Sequence, residues 1–84
     1  MNQKTEKKLN QIIKEVFGVE VADNLSMDNV SGWDSLRHIQ LMAKIEKEFD
    51  VEFDFRDTLV MTNIKSIREI LEKYIHEKQK AHTS

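Results

Sequence analysis

The stretch V-S-G-W-D-S-L, Val30 to Leu36, holds the side chain best placed for chemistry, the hydroxyl of Ser35. The chain has no cysteine, so it supplies no thiol of its own. A serine can act as a nucleophile only with a base and a group that orients the base. The histidines are His38, His76 and His82. His38 follows Ser35 by about one helical turn, and the other two lie near the C-terminus. G-W-D-S-L is similar to the G-D-S-L of some esterases but carries an inserted tryptophan. So short a chain has little room for a buried triad with a substrate pocket, and no catalytic residue is assigned.

Two readings of Ser35 remain. In the first, Asp34 and Ser35 only start a helix, where Asp and Ser are favoured because their oxygens satisfy free amides. In the second, Ser35 is an attachment point. A helix N-terminus presents unpaired N–H groups and the positive end of the dipole, which favour a phosphate ester on its first hydroxyl.

The elements that must position this serine are legible in the apolar spacing. Leu9, Ile12, Ile13, Val16 and Phe17 form one helical face over roughly Thr5 to Phe17, and Gly18 is a stop signal just beyond. From Gly18 to Trp33 the helical period is lost, and a long ordered loop is expected. A second helix is predicted from Asp34 or Ser35 to about Phe49, with Asp34 as N-cap. Its apolar residues, from Leu36 to Phe49, cover more than half the circumference, which predicts a central helix packed from several sides. A short helix is expected around Asp57 to Val60. A last helix is expected from about Asn63 to Glu77, with Thr62 as N-cap. The tail, 78–84, reads as polar and frayed. The expected fold is all-α, a four-helix bundle with three long helices, one short one, and a long loop between the first two.

Composition narrows the function. The 84 residues form one expected domain, 1–84, with its core in about 5–77. Thirteen basic against fifteen acidic residues give a net charge of −2, without the basic surface that nucleic acid requires. There is no apolar run of membrane-spanning length. The N-terminal M-N-Q-K-T-E-K-K has no apolar core and is not read as a signal peptide. A cytoplasmic monomer is the expectation. D-V-E-F-D alternates acids as a calcium loop does, but Phe55 and Met61 stand where glycine and a carboxylate are needed, so no metal site is assigned.

W-D-S-L-R-H-I-Q-L-M-A-K-I-E-K-E-F-D-V-E-F resembles the D-S-L segment and second helix of acyl carrier proteins. F-G-V at the end of the first helix and T-N-I-K-S-I-R-E-I-L near the end of the chain resemble the same family. The resemblance spans about Thr5 to Glu77. It implies a non-enzymatic carrier whose Ser35 bears 4′-phosphopantetheine, taken from coenzyme A by a phosphopantetheinyl transferase. Acyl or aminoacyl groups would ride on the arm as thioesters, loaded by an acyl-activating ligase or acyltransferase and passed to downstream enzymes. Asp34 and Leu36 match the residues flanking the modified serine, where partners dock. Arg37 and Gln40 stand where fatty-acid-synthesis carriers typically have acids. Charges on a docking face steer encounters and reject wrong partners, so a dedicated fatty-acid or secondary-metabolite pathway is expected. The competing reading is an unmodified helical interaction module. Trp33 is expected to pack the loop onto the bundle and His38 to pack at the edge of the core. Met42, Ala43, Ile45, Leu59, Met61 and Ile64 are core residues first and candidates to line an acyl slot second.

Overall fold

The computed structural model describes residues 1–83, with side chains described through 79. Four helices follow one another: α1 (Gln3–Phe17), α2 (Ser35–Phe49), α3 (Phe55–Val60) and α4 (Ile64–Thr83). The described residues contain no strand. One antiparallel bridge, Ser26 with Asn63, ties the long loop to the start of α4. The bundle expected from the sequence is therefore present.

Each helix starts where a short polar side chain satisfies free amides. Asn2 accepts from the Thr5 amide at 2.8 Å, so α1 begins two residues before the expected Thr5. Gly18 ends α1 at φ 69°, and its N–H returns to Lys14 O at 2.7 Å. Glycine reaches this left-handed conformation without steric cost. Asp54 caps α3 through the Arg56 amide at 2.8 Å, which moves its start from the expected Asp57 to Phe55. The cap of α4 is Asn63 rather than Thr62: its side chain accepts from the Ser66 amide at 2.8 Å. Thr62 instead gives its carbonyl to Met27 N across the bridge. Past Glu77, α4 continues to Thr83 through residues with no glycine or proline to stop it. Lys78 leans back from this extension onto Asp50.

The core lies where the helical faces converge. Leu9, Ile13, Leu41, Ile45, Met61, Ile64, Ile67 and Leu71 are fully buried. The loop between α1 and α2 contributes Val30 and Trp33 to the core, so its length is packed rather than loose. Its turns are held locally: the Asn29 side chain accepts from Ser26 N at 2.9 Å and donates to Asn24 O at 2.7 Å. The breadth of the apolar arc on α2 does not translate into burial on all sides. Leu36 and Ile39 are 65% and 66% exposed, and Ala43 is also exposed. Only Leu41, Met42 and Ile45 of α2 are buried. The physical reason is that α3 is six residues long and brings no buried side chain to cover that flank.

Candidate functional site

Ser35 is the first residue of α2 and is exposed. The helix starts there because Asp34 is extended and its carboxylate accepts from Arg37 N at 2.8 Å. The Asp34 carbonyl takes the next amide, that of His38, at 2.8 Å. The amides of Ser35 and Leu36 are left at the helix end without an intrahelical carbonyl. Gly32, at φ 94°, turns the chain just before, so that Trp33 enters the core while Ser35 faces out.

Beside Ser35 lies a largely apolar groove of about 740 Å³ between α2 and α3. Ile39 and Met42 wall it from α2, Phe55 and Leu59 from α3, with Phe53 deeper in. Met42, Ala43 and Leu59, among the slot candidates named from the sequence, line it. Ile45, Met61 and Ile64 do not, and are wholly buried in the core instead.

The residues flanking Ser35 divide by what they touch. Leu36 and Gln40 are exposed. Asp34 is exposed but engaged as a cap. Arg37 reaches across to α1, where its guanidinium donates to Val16 O at 2.8 Å. Lys44 lies 3.9 Å from Glu15, also on α1. Two basic residues of α2 thus lean on α1, and the face beside Ser35 presents Leu36, Ile39 and Gln40 without charge.

Trp33 is 3% exposed, so it packs the loop rather than facing a partner. Its ring lies 4.9 Å from that of Phe17, centroid to centroid. His38 sits at the core's edge, as expected, but does more than pack. Its Nδ1 accepts from Trp33 Nε1 at 3.1 Å, and its Nε2 lies 2.8 Å from Thr58 O on α3. The link to Thr58, 20 residues away, leaves no periodic trace in the sequence. Tyr74 joins α3 from the other side: its hydroxyl accepts from Asp54 N at 2.9 Å and donates to Asp57. Partial burial is the leading reason its phenol is held above the usual tyrosine range, followed by the bond to Asp57. No group of three or more potential metal-ligating side chains gathers among the described residues. No helix among them is long and apolar enough to cross a membrane.

A family model described as "Phosphopantetheine attachment site" matches residues 7–73. No curated protein sequence matches the chain. Among solved structures, one described as "The ishigamide ketosynthase/chain length factor" holds a chain that is 20% identical, with a TM-score of 0.75. The alignment covers 89% of this chain and 99% of that one, a likeness of fold. With most of its length inside the family match, this chain belongs to the phosphopantetheine-attachment family, as a carrier domain rather than a catalyst, its prosthetic group being 4′-phosphopantetheine held covalently on a serine.

Proposed function

We propose that Ser35 is the serine that bears the arm and that the protein is an acyl carrier of a dedicated biosynthetic pathway. The observation that carries this reading is the setting of Ser35: an exposed hydroxyl on the first residue of a long helix, bordering an apolar groove. Three other serines fall inside the matched span. Ser26 and Ser66 are half-buried, and their hydroxyls are bonded to backbone, Ser26 accepting from Asp28 N and Ser66 donating to Asn63 O. Ser31 is exposed but lies in the loop, away from a helix start and outside the groove lining.

The residues at this point fit the group. The amides of Ser35 and Leu36, with the positive end of the α2 dipole, favour the negative charge of a phosphodiester. When attached, the arm supplies the thiol that the chain lacks, on which acyl or aminoacyl groups are held as thioesters. The transferase acts on coenzyme A, and a ligase or acyltransferase supplies the cargo. A ketosynthase, the kind of enzyme for which the structural neighbour is named, is the class of downstream partner assigned here. The uncharged face of Leu36, Ile39 and Gln40 supports a dedicated set of partners over the basic enzymes that read acidic carriers. We place the chain in the cytoplasm, where coenzyme A and the transferase are at hand, and read 1–84 as one domain.

The test is intact mass after incubation with coenzyme A and a broad-specificity phosphopantetheinyl transferase, with Ser35→Ala as control. A gain of one phosphopantetheine in the wild type and none in the variant is expected. Ser35→Ala keeps the Asp34 cap, so it should fold normally. No gain on a folded wild-type chain, with a known carrier modified alongside, would favour an unmodified interaction module.

A further inference from the structure

His38 makes two hydrogen bonds that an apolar lining does not need, one to Thr58 on α3 across the groove beside Ser35 and one back to Trp33 before α2. It lies on α2 three residues after Ser35 and lines the same groove, as does Thr58. Trp33 Nε1–H can only donate, so the His38 Nδ1 3.1 Å away carries no proton. The Thr58 carbonyl can only accept, so the Nε2 2.8 Å away carries it. The two partners together select one neutral tautomer and leave both nitrogens satisfied. α3 has little else to hold it against α2. None of its six residues is buried, and Phe55, Leu59 and Val60 are each more than half exposed.

We propose that His38 is a specificity-determining residue. Its bond to Thr58 bars the groove at the Ser35 end and sets the length of acyl chain at which cargo moves from solvent into the groove. The proposal rests on Ser35 as the attachment point. A chain tethered there and running along α2 meets His38 one turn in, before it reaches Met42 and Phe53. Displacing the imidazole unpairs the buried indole N–H and frees the Thr58 carbonyl, a fixed cost. Each methylene that enters the groove adds a further gain. A fixed cost set against an incremental gain gives a threshold in chain length.

The test loads wild type, His38→Ala and His38→Gln with saturated acyl groups of two to twelve carbons from the corresponding acyl-coenzyme A, using the same transferase. Intact mass verifies loading, and the methyl NMR signal of Met42, a groove residue, reports entry. In the wild type this signal is expected to move abruptly above one chain length, together with the indole N–H signal of Trp33. In His38→Ala the threshold should fall by about two carbons, the fixed cost divided by the gain per methylene. Glutamine places an amide donor near the position of Nε2 and should restore the threshold toward the wild-type length. If His38→Ala does not fold, His38→Asn, which reaches the Trp33 side but not Thr58, takes its place against His38→Gln. Equal thresholds in all variants, or a Met42 signal unmoved at every length, would overturn the proposal while leaving the attachment intact. A folded wild type that cannot be loaded would refute the attachment reading, and this inference with it.

Discussion

Removing the guanidinium of Arg37 tests whether that side chain anchors the bundle or greets a partner. From the sequence it belongs to the docking face next to Ser35. In the structure its guanidinium donates to Val16 O at 2.8 Å, in the last turn of α1. That carbonyl is one of the four at a helix C-terminus without an intrahelical donor. A hydrogen bond from a charged donor contributes about 1.5–3 kcal/mol when well buried. The Arg37 side chain is exposed, so the lower end applies after discounting for solvent, about 1 kcal/mol. The favourable meeting of a cation with the negative end of α1 adds about 0.3 kcal/mol at such exposure. Arg37→Ala should therefore destabilise the fold by about 1–1.5 kcal/mol, lowering Tm by roughly 4–12 °C for a domain of this size. Urea unfolding followed by circular dichroism and by Trp33 fluorescence should show a lower midpoint with an unchanged slope. Arg37→Lys should recover part of the loss, because an ammonium can still reach one carbonyl. The rate of phosphopantetheine loading should change less than twofold in the folded variant. A variant as stable as wild type but loaded ten times more slowly would refute this reasoning and make Arg37 a docking group.

Four other perturbations have outcomes set by the same structure. Tyr74→Phe removes the hydroxyl that joins Asp54 N and Asp57 to α4, and should cost about 1–2 kcal/mol by chemical denaturation; no measurable loss would mean that water replaces both bonds fully. Met61→Ala opens a cavity at a fully buried site and should cost about 2–5 kcal/mol, a large share of so small a domain's stability. Gly18→Ala meets no atom within 4 Å but must hold φ 69°, so a backbone cost of about 1 kcal/mol is expected with no change in packing; a neutral result would show that the helix end relaxes. Asp50 is held below the usual carboxylate range by its hydrogen bond to Lys78 and by the lysine's charge. Its folded pKa being depressed, the stabilisation is present at neutral pH and fades as pH falls through the folded value. Thermal unfolding between pH 2 and 7 should show a shallower acid decline in Lys78→Gln, a difference that salt shrinks; identical profiles would count against the pair.

The helices and their order were legible in the sequence because each leaves a local mark. A repeat of apolar residues at helical spacing marks α1, α2 and α4, and a capping side chain or glycine marks most of their ends. Asp34 before Ser35 was readable for the same reason: the cap is a bond between residues three apart. The start of α3 and the cap of α4 were misplaced because several polar residues at each site can cap. Only the bridge of Ser26 with Asn63, which draws the Thr62 carbonyl to Met27, decides that Asn63 takes the role.

What the sequence by itself determined is the bundle, the start of α2 to within one residue at Asp34 or Ser35, and the likeness to carriers, all carried by short-range pattern. Tertiary structure alone decided which apolar residues of α2 are covered. Periodicity states which side chains share a face, whereas burial depends on the length of the element packed against that face. The six residues of α3 are too few to cover Leu36 and Ile39. It also decided the contacts of Arg37 and His38. Their partners, Val16 and Thr58, stand 21 and 20 residues away in the chain, and only folding brings them within hydrogen-bond reach.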